Sequence, residues 1–183
     1  PYRRQRQMCI ETENFLALNK PGWLVCHPSK NGPLSSLVGA AREYLGAETL
    51  HPVSRLDRET SGVVVIAKNY AAASKAQKAV SISGAVKKTY LAFMEGKLGA
   101  TATISQPLAD DKKSLVSIKT CCAVQKPSAK SAVTIFRPLS HSRRGGRGFT
   151  LCEVSLLTGR KHQIRAHAQW LLSLYTSDAA DDK

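Results

Sequence analysis

The sequence predicts an α+β protein, a mixed but mostly antiparallel sheet flanked by helices. Three observations carry that expectation. Strand-sized apolar runs rich in β-branched and aromatic residues recur between turn signals. Two segments space their apolar residues three and four apart, as amphipathic helices do. Hydrophobic residues make up 43% of the 183, an ordinary fraction for a folded chain, and the length is that of one domain.

Residues 1–9 open with Pro1 and carry Arg3, Arg4 and Arg6 without periodicity, so they are read as a mobile basic edge. Phe15–Leu18 is a first strand, ended by the turn signal Asn19-Lys20-Pro21-Gly22, and Trp23–His27 is a second, closed by Pro28. Leu37, Val38, Ala41 and Leu45 predict a helix, with Ser35 or Ser36 as cap and Gly46 as stop. Gly62–Ala67 is a β-branched run too short for a helix and predicts a buried strand. Ala72, Ala76 and Val80 lie four apart in an alanine- and lysine-rich stretch, a second helix over 70–83 stopped by Gly84. Thr89–Glu95 alternates and carries aromatics, a strand ended by Gly96.

Ser131–Leu139 and Phe149–Leu157 predict a hairpin. Its connection, His141 to Gly148, combines Arg143, Arg144 and Arg147 with three glycines, and is expected to be exposed, mobile and strongly positive. Residues 101–130 give only weak strand signals. Ile164–Leu171 has helical spacing, whereas residues 173–183 turn small and acidic with no core-facing pattern. They are expected to be a non-native tail, which leaves a domain over 10–172.

Lys and Arg number 27 against 13 Asp and Glu, a net charge of +14. That balance favours a polyanionic partner, because each phosphate neutralised by a cation releases counterions. No stretch approaches the roughly 18 apolar residues of a membrane span, and no apolar segment of a signal peptide follows the opening arginines, so cytoplasmic residence is expected. The five cysteines, Cys9, Cys26, Cys121, Cys122 and Cys152, include no C-x-x-C and are read as reduced, mostly buried thiols.

Polar residues concentrate in two places. The first is His51-Pro-Val-Ser-Arg55-Leu-Asp57-Arg58-Glu-Thr-Ser61-Gly62, where Arg55 and Asp57 straddle one apolar residue and would share a face if extended. Either Asp57 sits in an ion pair on a surface turn, or neighbouring arginines hold it as a reactive carboxylate. The second is Thr158-Gly-Arg160-Lys161-His162-Gln-Ile-Arg165-Ala-His167, between the last strand and the final helix. Backbone amides at a helix start beside Arg160, Lys161 and Arg165 suit a phosphate or carboxylate; a basic solvated face is the other reading. Metal binding does not fit, since residues 162 and 167 would lie about 140° apart around a helix. A phosphate-handling enzyme lacks its P-loop.

Taken together, Arg55-Leu-Asp-Arg-Glu-Thr-Ser-Gly62, Lys88-Thr-Tyr90-Leu-Ala and Thr158-Gly-Arg-Lys-His-Gln-Ile-Arg165-Ala-His167 closely resemble, in order and separation, the three signature segments of the RluA-type pseudouridine synthases. Compatible sequence runs from about Phe15 to Leu171. The resemblance implies the pseudouridine synthase catalytic fold, incomplete at its carboxyl terminus. It also implies conversion of uridines in structured ribosomal or transfer RNA to pseudouridine, with no cofactor, no metal and no obligate protein partner. Asp57 matches the essential aspartate, which acts as nucleophile or as base in glycal formation. Tyr90 matches the tyrosine that stacks on the target base, Arg165 the arginine that pairs with the aspartate, and Arg55 the residue that enters the space left by the flipped nucleotide.

Arg58, Arg143, Arg144, Arg147, Arg160, Lys161 and His162 are expected to grip RNA beside Arg55. General chemistry agrees with these roles. Desolvation under RNA would protonate a lone aspartate, so an adjacent arginine is needed to keep it charged. An aromatic ring replaces part of the stacking lost when a base is extruded. Without their neighbours, Tyr90 would be read as a core aromatic and Arg165 as a helix-surface charge. Two departures stand out. Ser54 occupies the position where the family most often has His, and beyond Leu171 the family continues with a Gly-His-Pro turn and further strands that this chain replaces with its acidic ending. The competing reading is a non-catalytic RNA-binding remnant with the same basic surface.

Overall fold

The computed structural model describes residues 9–28, 32, 34–82, 85–110, 120–123 and 126–178. The expected basic edge over 1–9 and the Gly84 stop therefore lie outside the described residues, apart from Cys9. The chain forms two compact units, Pro1–Ala85 and Val86–Lys183.

The first unit is built from β1 (Cys9–Glu11), β2 (Phe15–Lys20), α1 (Leu37–Leu45), β3 (His51–Pro52), β4 (Gly62–Ala67) and α2 (Tyr70–Ser81). Its strands form one antiparallel sheet in the order β1-β2-β4-β3, with Phe15 opposite Ala67 and Lys20 opposite Gly62. Period-two alternation sets the face. Leu16, Val64 and Ile66 are buried in a core with Cys26, Leu37, Val38, Ala41 and Leu50, and each large apolar side chain so buried contributes about 1.5–3 kcal/mol. Val63 is 69% exposed, so β4 is half-buried, not buried on both faces as its continuous apolar run suggested.

Ser36 caps α1, its Oγ accepting the Gly39 amide at 3.0 Å, and Gly46 ends it at φ 60°. Asn69 caps α2 in the same way through Ala72. The expected strand over Trp23–His27 does not form; it makes one isolated parallel bridge, Val25 to Ser36. The reason is local. The carbonyls of Val25 and Cys26 accept the amides of Leu37 and Val38, donors in the first turn of α1 that have no partner within the helix, so they are taken up before a sheet ladder can use them.

The second unit contains β5 (Lys88–Glu95), β6 (Ala102–Ile104), β7 (Leu108–Asp110), β8 (Thr120–Cys122), β9 (Thr134–Arg144), β10 (Arg147–Leu156) and α3 (Gln163–Asp178). A four-stranded antiparallel sheet runs β5-β10-β9-β6, and β7 and β8 form a separate ribbon. The inward face carries Met94, Ile104, Phe136, Cys152, Val154 and Leu156, packed with Leu98 and Leu171. Gly96 has φ 115°, a backbone conformation that favours glycine, whereas a Cβ there would meet only the movable tip of the Leu172 side chain.

The β9–β10 hairpin is longer than expected. Arg143 and Arg144 belong to β9 and Arg147 begins β10, leaving only Gly145-Gly146 as the turn, at φ 57° and 78°. Two glycines with positive φ match the twist of paired strands, which turns the expected mobile arginine loop into a ladder with Arg147 opposite Arg144. Helix α3 starts one residue before the predicted Ile164 and runs through Asp178. The segment expected to be a non-native tail is thus helical over 173–178, and 179–183 lie outside the described residues. All five cysteines are free thiols, with Cys26 and Cys152 buried and the others half-buried. Among the described residues no helix is long and apolar enough to cross a membrane.

Candidate active site

In the first unit, Arg55, Asp57 and Arg58 share the loop between β3 and β4. Asp57 is half-buried while both arginines are exposed. Anchors on either side of Asp57 fix its backbone. The Cys26 thiol accepts the Leu56 amide and donates to the Leu56 carbonyl, each at 3.3 Å, and Leu56 packs on the core. On the other side, Lys20 Nζ donates to the Arg58 carbonyl at 2.9 Å. The Thr60 amide closes the turn onto the Asp57 carbonyl at 3.1 Å.

Lys20 is fully buried and gives its other two donors to the carbonyls of Pro21 at 2.8 Å and Leu24 at 2.7 Å. Burial pushes its pKa down, opposed by the nearby acidic groups of Cys26, Glu59 and Asp57. The three carbonyls take up all three protons of the ammonium, so one cation ties the end of β2 and the turn after it to the loop carrying Asp57. Gly22 lies in that turn, where a Cβ would come within 3.2 Å of the Glu59 carbonyl oxygen. Sequence reasoning places Lys20 in a turn signal; nothing in the residue itself distinguishes a buried clamp from a surface lysine.

In the second unit, Tyr90 stands on β5 opposite Val154 and packs partly against the core. Ile164, next to Arg165, rests on the same core, and Arg165 itself is exposed on the first turn of α3. The junction before α3 is organised around Gln163, which is 2% exposed. Gln163 Oε1 accepts the Thr158 hydroxyl at 2.9 Å and the Arg160 amide at 3.0 Å; Nε2 donates to the Val133 carbonyl at 3.0 Å and Thr134 Oγ1 at 2.9 Å. Thr158 Oγ1 in turn accepts the Val133 amide.

Buried His167 extends the network, Nε2 to the Gln106 carbonyl at 2.9 Å and Nδ1 to Thr134 Oγ1 at 2.7 Å. A carbonyl only accepts, so Nε2 carries the proton, and the neutral ring then accepts the Thr134 hydroxyl at Nδ1. Burial lowers the His167 pKa, partly offset by the Gln106 bond, in keeping with a neutral ring. His162, just before α3, takes φ 51°, a left-handed conformation costly for a side chain.

The expected anion site at this helix start shares Arg160 with the joint before α3. The Arg160 amide is engaged by Gln163, and Arg160 Nε donates to the Ser131 carbonyl at 3.0 Å, so both hold the joint. The side chains of Lys161 and Arg165 are exposed. At the hairpin tip Arg143, Arg144 and Arg147 are exposed, and Arg147 reaches Glu95 at 3.4 Å. The structural roles of Gln163, Thr134 and His167 escape sequence reasoning because a buried amide and a surface amide look alike in sequence. Cys122 is pushed up to about 11 by burial and by Cys121, which leaves it a protonated thiol at neutral pH.

Residues 14–170 match the RNA pseudouridylate synthase family. The chain belongs to that family, and its relatives are of the RluA type. It is 35% identical over 172 residues to an uncharacterized RNA pseudouridine synthase of Mycoplasma pneumoniae, covering 93% of this chain and 53% of that protein. It is 34% identical to ribosomal large subunit pseudouridine synthase C of Rickettsia bellii, covering 90% and 52%. Among solved structures it resembles human RNA pseudouridylate synthase domain containing 1, with TM-score 0.74, 25% identity and coverage of 89% and 64%. The chain spans about half the length of the curated relatives it matches.

Proposed function

We propose that this protein isomerises uridines in structured ribosomal or transfer RNA to pseudouridine, through a catalytic domain over 10–172. The observation that carries the reading is the clamped loop: Asp57 lies between Leu56, held by the Cys26 thiol, and Arg58, held by Lys20. A carboxylate that attacks or deprotonates a sugar must be held in place before the substrate arrives.

In this reading the bond from C1′ to the ring nitrogen breaks, the uracil rotates, and C1′ rejoins a ring carbon. The proton on that carbon is lost and the ring nitrogen gains one, so atoms balance without a redox step. Asp57 acts as nucleophile or as base for the glycal route, Arg165 is the arginine that pairs with it, and Tyr90 stacks on the extruded base. Arg55, Arg58, Arg143, Arg144, Arg147, Arg160, Lys161 and His162 hold the RNA. The net charge of +14 and the ribosomal and transfer RNA enzymes among the relatives support an RNA substrate. We place the reaction in the cytoplasm, without cofactor, metal, membrane or obligate protein partner.

Asp57→Asn tests the assignment. It is expected to abolish pseudouridine formation while leaving RNA affinity within a few fold. Undiminished turnover in the variant would refute the role of Asp57, and binding without turnover in the wild type would favour the non-catalytic remnant.

A further inference from the structure

In the first unit a basin of about 460 Å³ opens beside the Asp57 loop, lined by His27, His51, Ser54, Arg55 and Gln77. Its size falls within the range of small-ligand sites. Its chemistry is that of a nucleotide site: a guanidinium, two imidazoles, a hydroxyl and an amide, with no carboxylate among the lining residues.

The surroundings add positive charge. Burial, then Arg55, then Arg42 push the His27 pKa down, which keeps that ring neutral near pH 7, with one donor and one acceptor nitrogen. Arg42 does not line the basin and contributes only its charge, felt at His27. One wall offers aromatic surface, since His51 meets Tyr70 edge-on with centroids 6.0 Å apart and Tyr70 is 75% exposed. Gln77 is fixed across the basin by donating from Nε2 to the Pro52 carbonyl at 3.0 Å.

We propose that this basin is a second nucleotide subsite, which takes an unpaired base and its phosphate adjacent in the RNA to the uridine being modified. The phosphate sits toward Arg55, and the base lies against the His51 wall with its edge read by His27 and Gln77. The proposal rests on the RNA-modifying reading above. It follows from position, because Arg55 both lines the basin and stands two residues from Asp57.

The test uses the full chain and a fluorescein-labelled seven-residue oligouridylate carrying one photoreactive 4-thiouridine. The wild type is expected to crosslink within residues 51–55. Gln77→Glu, on the exposed face of α2, replaces the amide proposed to read the base edge with a carboxylate and adds negative charge to the basin, and is expected to weaken binding at least tenfold at fixed salt and to abolish that crosslink. Arg55→Gln is expected to lower the log-log salt slope by about 0.7, the share of one phosphate in a single strand. Thermal melting of both variants confirms folding.

Unchanged affinity and crosslinking in folded Gln77→Glu would overturn the proposal. So would displacement of the oligonucleotide from this site by inorganic phosphate at the same concentration, which would mark a plain anion site. The two readings fail separately. Crosslinking at 51–55 without pseudouridine formation keeps the subsite and removes the catalytic assignment, whereas pseudouridine formation with an unaffected Gln77→Glu does the reverse.

Discussion

Lys20 shows how much one buried charge can organise. Its ammonium is matched by three carbonyls, from Pro21, Leu24 and Arg58, and removing it takes the side-chain donor from all three part-buried acceptors. Lys20→Met is expected to cost about 3 kcal/mol, read as a lower urea midpoint, and Lys20→Arg should not restore it because a planar fork cannot replace a compact tripod. A midpoint within error of wild type would show the clamp to be energetically idle. His167 makes a prediction of opposite character. Its folded-state pKa lies below the ordinary 6.5, so as pH falls through 6.5 the unfolded chain takes up a proton that the folded chain refuses. Stability should therefore decline from pH 6.5 downward, and His167→Gln should flatten that decline even if it lowers stability throughout.

At the level of elements, the sequence is legible where local chemistry decides. Ser36 and Gly46 bracket α1 as their types demand, and β4 begins and ends at Gly62 and Ala67 as the β-branched run suggests. It is illegible where a partner distant in the chain decides. Trp23–His27 reads as a strand until the amides of α1 claim its carbonyls. The ends of β9 and β10 read as a loop until Gly145-Gly146 lets them pair. Residues 101–130 contain β6, β7 and β8, strands of three residues each, too short for alternation to register. The extended hairpin carries its own prediction. Arg143→Ala, Arg144→Ala and Arg147→Ala together should weaken RNA binding and flatten its salt dependence by roughly 0.7–0.9 for each phosphate the hairpin no longer neutralises. An unchanged slope would remove the hairpin from the RNA interface.

For the molecule as a whole, the residues proposed for chemistry come from both compact units, Asp57 from the first and Tyr90 and Arg165 from the second. The resemblance of three separated segments, taken together, points to these residues; singly, Asp57 has a structural explanation of equal weight, and for Tyr90 and Arg165 the structural explanation is the preferred one. What the sequence does not disclose is the support beneath them: the Cys26 and Lys20 anchors under Asp57, and the Gln163, Thr134 and His167 network under the start of α3. These depend on burial, which residue type alone does not reveal. The most direct test of the central claim is a pseudouridine assay on unmodified ribosomal and transfer RNA, by carbodiimide labelling and reverse transcription. The protein carrying this sequence, produced in full, is compared with its Asp57→Asn variant. The account predicts a new stop with the wild type that is absent with the variant; the same stop with both proteins, or with neither, would contradict it.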